Sequence, residues 1–294
     1  MTAFDANADN LILTIKCQAG SGIVAAVSTY LAERACYICA LEQFDSMEKE
    51  NFFMRMLFKP QEGAPSIDEI ENGFQKVAKK FGMQWKMHNP KKPVKVVLMV
   101  SKFDHCLDDL LYRTRNGDLN LNVAVIVSNH QTCRAMAERE GIRFVHLPID
   151  KDKKNKAEQE QRLLEIVEET DAEFVVLARY MQILSDDLSK KLCGRCINIH
   201  HSFLPGFKGA MPYHQAFDRG VKVIGATAHY VTSDLDEGPI IEQVLTRVDH
   251  NYSPADLVRV GRDNECLALA RAVKYHIERR VFVDGNKTVV FLGA

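Results

Sequence analysis

Lys95-Val-Val-Leu-Met-Val100 runs directly into Ser101-Lys-Phe-Asp104, and Asp104–Arg115 follows with helical spacing. An unbroken apolar run of this length reads as a strand buried on both faces. The unit recurs downstream. Leu121–Ser128 is a second solid apolar strand, with a helix from Gln131 to Glu140 after it. Phe144–Leu147 is a short strand, Lys156–Glu169 a helix and Glu173–Ala178 a strand. Such alternation predicts a mostly parallel, doubly wound sheet, which binds ligands at the carboxyl ends of its strands. Val221–Val231 and Pro239–Val248 extend the sheet. Ser253–Arg279 is a long helix, with Ser253 as cap and Asp256 three residues on. Val281–Phe282 and Val289–Phe291 flank the turn Asp284-Gly285-Asn286.

Upstream the period changes. Asn10–Cys17 alternates through Leu11, Leu13 and Ile15, as a half-buried strand does. Gly20 and Gly22 bracket a turn into a helix over Ile23–Ala35. Tyr37–Phe44 and Asn51–Lys59 are strands, and Ser66 with Glu69 forms a capping-box pattern for a helix carrying Ile70, Phe74, Val77 and Phe81 on one face. Met83–Met87 closes a βαββαβ, ferredoxin-like order. The segment His88-Asn-Pro-Lys-Lys-Pro93 has the composition of a boundary. The expected organisation is a first domain over 1–88, a linker over 89–94 and a second domain over 95–294.

Net charge is -1, so no overall field draws the chain to nucleic acid, and the lysine pairs at 79–80, 91–92 and 153–154 read as solvated faces. No apolar stretch approaches a membrane span, and the first residues lack the basic and apolar segments of a signal peptide. With eight cysteines and no secretion signal, reduced thiols in the cytoplasm are expected. Two Cys-x-x-Cys pairs stand out, Cys36/Cys39 and Cys193/Cys196, the second near His200 and His201. Residues three apart on a strand face opposite ways, and buried free cysteine is common, so no metal is expected. The turn Ser101-Lys-Phe-Asp104 contains no glycine, and a dinucleotide pyrophosphate needs bare backbone at a helix N-terminus. A nicotinamide-dependent dehydrogenase is thereby disfavoured.

The densest polar signal is Cys196-Ile-Asn198-Ile-His200-His201-Ser202-Phe-Leu-Pro205-Gly-Phe-Lys208-Gly209-Ala210. Asn198 and His200 are two apart and share a strand face. Downstream, Gly225-Ala-Thr-Ala-His229-Tyr-Val empties into the acidic loop Asp234-Leu-Asp236-Glu237-Gly238-Pro239. An amide, an imidazole and a carboxylate together suit acyl transfer: donors for an oxyanion, and a carboxylate that accepts a proton and holds an imidazolium. Polar residues at strand ends equally serve to satisfy loop backbone. Composition alone leaves both readings open.

Asn198-Ile-His200, Leu204-Pro205, Lys208-Gly209 and Leu235-Asp236-Glu237-Gly238 resemble the folate-dependent formyltransferase family, from about Lys95 to the end of the chain. The resemblance implies that Asn198, His200 and Asp236 surround a formyl group. It implies that Met181, Gln182, Ile183 and Leu184 on one side, and Val231, Thr232 and Ser233 up to Asp236 on the other, hold the pteridine. His200-His201-Ser202 and Pro212-Tyr213-His214-Gln215-Ala216 look like the formyltetrahydrofolate deformylase version of the motif. The first domain is similar to an ACT domain through Cys17-x-x-x-x-Gly22-Ile-Val-Ala-Ala-Val27, although Gln18-Ala19 stand where those deformylases have Pro-Asp. The implied activity is hydrolysis of 10-formyltetrahydrofolate to formate and tetrahydrofolate, feeding one-carbon and purine metabolism. It needs no tightly bound cofactor, and it comes with a homo-oligomer, dimer or tetramer, and an amino-acid effector left open at the first domain. Two rivals stand beside it: formyl transfer to an amine such as glycinamide ribonucleotide, and a non-catalytic amino-acid or folate sensor.

Overall fold

The computed structural model describes residues 10–46, 48–150, 152, 154–206 and 212–293. They form two compact units. One gathers the described residues up to Lys92 with Glu278–Asp284 and the chain from Val289 onward; the other comprises Pro93–Ile277 and Gly285–Thr288.

In the first unit the elements are β1 (Leu11–Gln18), α1 (Ile23–Ala32), β2 (Cys36–Ser46), β3 (Asn51–Pro60), α2 (Ile67–Lys80) and β4 (Gln84–His88), with the sheet ordered β2-β3-β1-β4. β1 runs antiparallel to both β3 and β4, the arrangement of a βαββαβ fold. The alternating residues Leu11, Leu13 and Ile15 enter a core with Val27, Leu31, Ile70 and Phe74. The turn into α1 uses Gly22 at φ 85°, a conformation that costs glycine little. α1 stops at Ala32, short of the expected Ala35, which adopts φ 51° and cannot continue a right-handed helix. The expected capping box is present: Ser66 Oγ accepts from Glu69 N while the Glu69 carboxylate accepts from Ser66 N. β3 is buried from Phe52 to Phe58 rather than on alternate residues. The reason is the end of the chain: Phe282 packs 5.6 Å from Phe53, and Arg55 Nε donates to the Glu278 carbonyl at 3.0 Å. Residues 278–284 therefore group with the first unit, although the sequence pattern placed everything after the linker in the second.

The second unit carries β5 (Val94–Val100), α3 (His105–Arg115), β6 (Leu121–Ser128), α4 (Arg134–Arg139), β7 (Phe144–His146), α5 (Lys156–Thr170), β8 (Phe174–Leu177), α6 (Asp186–Lys191), β9 (Cys196–His200), α7 (Pro212–Asp218), β10 (Val223–Tyr230), β11 (Ile240–Arg247) and α8 (Pro254–Ile277). β12 (Val281–Asp284) and β13 (Lys287–Val290) form a separate two-stranded sheet. The seven-stranded sheet is ordered β11-β10-β9-β8-β5-β6-β7. β7, β6, β5, β8 and β9 are mutually parallel, and β10 is antiparallel to both its neighbours. The chain works outward from β5 to β7 and then crosses back to β8, so the order reverses between β5 and β8. Such a switch point opens a crevice at the carboxyl ends. The helices α6 and α7 are too short for periodicity to announce; α6 begins at Ser185, whose Oγ accepts from Leu188 N at 3.2 Å. None of the described helices is long and apolar enough to cross a membrane.

Phe74 is fully buried and meets Tyr30 edge-on at 5.4 Å and Trp85, the chain's single tryptophan, at 4.8 Å. Phe74→Ala should lower stability of the first unit by about 3–5 kcal/mol. Trp85 fluorescence during urea unfolding reads this as a lower midpoint; an unchanged midpoint would show that the ring is not a keystone of that core.

Candidate active site

Strand alternation builds the floor of the site. Along β9, Ile197 and Ile199 enter the core, leaving Asn198 and His200 on the opposite face. The antiparallel register sets His229 of β10 beside Asn198 and Thr227 beside His200. The loop after β9 is pinned from β10 and β11: Thr227 Oγ1 accepts from Leu204 N at 3.0 Å and donates to the Ser202 carbonyl at 2.9 Å, while Gln243 Nε2 donates to the Leu204 carbonyl at 3.0 Å. Lys208 and Gly209 of the quoted motif lie outside the described residues. Beyond β10 the chain turns through Asp236, at φ 57°, a left-handed conformation that aspartate tolerates better than bulkier residues. Gly238 then passes so close to β10 that a Cβ there would strike the Tyr230 carbonyl oxygen and lie 3.2 Å from His229 Nδ1.

These elements bring Asp236 between two imidazoles. Its Oδ2 is 3.3 Å from His200 Nδ1 and its Oδ1 is 3.7 Å from His229 Nε2. Burial pushes the Asp236 carboxyl up, but hydrogen bonds from His200 and then His229 outweigh it and hold the group well below the usual carboxylate range. The carboxylate is thus ionised at neutral pH. His229 Nδ1 lies 2.9 Å from the Tyr230 carbonyl, which only accepts, so Nδ1 carries a proton. Asn198 Nδ2 lies 3.2 Å from His229 Nε2. The amide carries two hydrogens and faces one ring nitrogen, so at least one hydrogen is left over. His200 is 5% exposed, and its Nε2 has no hydrogen-bond partner among the described residues. Burial, followed by the charge of Arg179, lowers the neighbouring His201 to about 4, so that ring is neutral under physiological conditions.

A cavity of about 260 Å³ lies over this cluster at the carboxyl edge of the sheet. Met181, Gln182, Ile183 and Leu184 line one side; Val231, Thr232 and Ser233, continuing to Asp236, line the other; Asn198 and His200 line it between them. All of the residues that the resemblance places around the formyl group and the pteridine line this one cavity. Arg179, Tyr180, His201, His229 and Leu235 also line it, and none of these was given a place in the site from the sequence. His229 could have been found only with the β9–β10 register in hand. Arg179 carried a signal: a charged residue directly following the apolar run that ends at Ala178.

The cysteine pairs do not converge on the histidines. Cys36 is buried and Cys39 exposed, on either side of a register shift in β2; Cys196 is buried in β9 and Cys193 is exposed. Among the described residues, the group whose ligand atoms lie close enough for a metal is His105, Cys106 and Glu265. There the Glu265 carboxylate is already engaged by His105 Nε2 and Tyr213 Oη, each at 2.7 Å. A hydrogen bond to Cys266, together with burial, pushes the Cys106 thiol up, away from the thiolate a metal requires.

The fold of the second unit is that of the formyl-group enzymes, and the formyl transferase family matches residues 94–273. The chain is 52% identical over 279 residues to the formyltetrahydrofolate deformylase of Corynebacterium sp. (strain P-1), covering 95% of this chain and 97% of that one. The crystal structure of the formyltetrahydrofolate deformylase from Burkholderia mallei superposes with a TM-score of 0.92 at 51% identity, over 96% of this chain and 99% of that one. Glycinamide ribonucleotide transformylase 1 from Symbiobacterium toebii superposes at 0.64 with 28% identity, over 68% of this chain and 94% of that one. The chain belongs to the formyltetrahydrofolate deformylase family.

Two outcomes follow from this geometry. Gly238→Ala must displace the loop that carries Asp236, and a misplacement of about 1 Å costs on the order of 10²-fold in turnover. Steady-state kinetics should show that loss with the circular dichroism spectrum retained; turnover within threefold of the parent would show that the loop absorbs the methyl group. His201 is neutral in the fold down to about pH 4, whereas in the unfolded chain it takes a proton near pH 6.5. The unfolded state therefore binds more protons between these values, and stability declines as pH falls from 6.5 toward 4. In urea titrations across that window His201→Gln should show a shallower decline than the parent; identical slopes would contradict it.

Proposed function

We propose that the protein hydrolyses 10-formyltetrahydrofolate to formate and tetrahydrofolate, with water as formyl acceptor. The observation that carries this is the state of the turn after β5. A phosphate-bearing acceptor would need open backbone and hydroxyl donors there. Ser101 Oγ is instead spent inside the protein, donating to Asn129 Oδ1 at 2.7 Å and accepting from Met181 N at 3.0 Å. Phe103 covers Arg179 with its ring centroid 5.3 Å from the guanidinium carbon. Asp104 adds a like charge against any phosphate.

In this reading the exposed apolar side chains of Met181, Ile183 and Leu235 flank a flat pteridine, and loop backbone reads its edge. Asn198 uses its spare amide hydrogen, and His200 its Nε2 proton, to hold the formyl oxygen. Water adds to the formyl carbon, the carbonyl pair moves onto that oxygen, and Asp236 takes the proton the water loses. Collapse re-forms the carbonyl and breaks the C–N10 bond, N10 takes the proton held by Asp236, and formic acid leaves as formate with its own proton passing to solvent. Asp236 also orients the His200 ring, with its Oδ2 3.3 Å from Nδ1. No tightly bound cofactor or metal enters this scheme.

The βαββαβ unit is read as an ACT-like domain that regulates or assembles the protein. Its turn residues Gln18 and Ala19 lack a carboxylate to hold an amino-acid ammonium, which favours assembly into a homo-oligomer, dimer or tetramer, over effector binding. The setting proposed is cytoplasmic, the formate feeding one-carbon metabolism and purine synthesis.

Formate and formylated amine are to be measured together, with 10-formyltetrahydrofolate and glycinamide ribonucleotide both present. Formate should form at the same rate with or without the ribonucleotide; faster formylation of the ribonucleotide would make this a transferase. Asp236→Asn should cost roughly 10²–10⁴-fold in turnover, and Asn198→Ala on the order of 10²–10³-fold. A loss below threefold in either would assign that residue to structure alone.

A further inference from the structure

Arg179 stands at the switch point of the sheet, just past the end of β8. Its backbone is left-handed, at φ 64°, which is costly for a long side chain. It is held so from both neighbouring strand ends: Ser101 N donates to the Arg179 carbonyl at 3.3 Å, and Arg179 N to the Leu177 carbonyl at 3.1 Å. This strained backbone delivers a guanidinium that is only 9% exposed. Nε lies 3.3 Å from Glu265 Oε2, an ion-pair contact that does not meet hydrogen-bond geometry, while the two oxygens of that carboxylate accept 2.7 Å hydrogen bonds from His105 and Tyr213. Glu265 balances the charge of Arg179 without satisfying its donors. Nε and Nη1 are buried and have no hydrogen-bond partner among the described residues. A buried donor left unmade costs about 1–3 kcal/mol, and more when it is charged.

Arg179 lines the same cavity as Asn198, His200 and Asp236. A planar guanidinium with free N–H groups matches a carboxylate. The reaction proposed for this cavity starts from a neutral formamide and neutral water and ends with a neutral amine, a carboxylate anion and a proton released to solvent. That anion is born beside Asp236, whose negative charge repels it. Resting on that reading, we propose that Arg179 is a site for small carboxylates that receives the product formate, drawing it away from Asp236. Formate and a carboxylate of the substrate itself share this chemistry. The assignment is to formate, because the guanidinium lies in the cavity that holds the reacting groups.

Formate is the probe. On the full-length parent protein, proton saturation transfer from protein to formate is measured first, without turnover. A site contributing about one charged hydrogen bond is half filled or better at about 100 mM formate. Transfer is expected there, and its absence would overturn the proposal whatever any variant does. Next, formate is titrated as a product inhibitor of hydrolysis. Arg179→Gln should raise the formate inhibition constant roughly 10–100-fold, the loss expected for a charge-assisted hydrogen bond. Arg179→Lys, which keeps the charge but not the fork, should fall between. KM for 10-formyltetrahydrofolate should change less than threefold. A rise in KM with unchanged formate inhibition would overturn the proposal by moving Arg179 to a carboxylate of the substrate. Because Arg179→Gln strands Glu265, the double variant Arg179→Gln/Glu265→Gln is read by the same saturation transfer and should also lose formate. Formate binding without hydrolysis in the parent protein would count against the proposed activity but not against this site.

Discussion

A carboxylate removed from water and set between two imidazoles governs the arrangement of this protein. Burial alone would drive Asp236 toward its neutral form, and only the contacts from His200 and His229 keep it ionised. Each contact rests on backbone. His229 is fixed through Nδ1 by the Tyr230 carbonyl, His200 by the alternation of β9, and Asp236 by a left-handed turn closed by Gly238. The three groups come from two antiparallel neighbours and the loop beyond them, so the register of β9 against β10 decides which side chains meet in the cavity. A shift by one residue would turn Asn198 and His200 into the core and Ile197 and Ile199 into the cavity.

The same sheet supports different formyl chemistry in the glycinamide ribonucleotide transformylase of Symbiobacterium toebii, with which this chain shares its second unit at 28% identity. Fold alone does not choose the acceptor. In the proposed reading the choice falls to the carboxyl edge near β5 and β8, where Ser101 is spent on Asn129 and Met181 and Phe103 covers a buried guanidinium. Arg179, lining the same cavity, is the residue to which the product formate is assigned in that reading.

Much of this was legible in the amino-acid sequence, for physical reasons that can be named. The apolar runs of β5 and β6 could only be strands covered on both faces, and the two-residue spacing of Asn198 and His200 fixed a shared face. Ser66 with Glu69 announced a helix start that the structure shows as a complete capping box. What stayed hidden depended on tertiary register or on length. His229 joins the site because of its antiparallel partner, not its neighbours in the chain. Arg179 is buried by Glu265, 86 positions away by number (265 − 179). The full burial of β3 comes from residues 278–284, which no local period relates to it. The six and seven residues of α6 and α7 are too few for an amphipathic repeat to declare itself.

Isotope transfer tests, without any variant, whether water is the formyl acceptor. Hydrolysis of 10-formyltetrahydrofolate is run in water enriched in oxygen-18, and the formate is analysed by mass spectrometry. Each formate formed should carry one oxygen from solvent, and formate and tetrahydrofolate should appear in equal amounts. Tetrahydrofolate released without labelled formate, with the formyl group recovered on an amine, would contradict water as the acceptor.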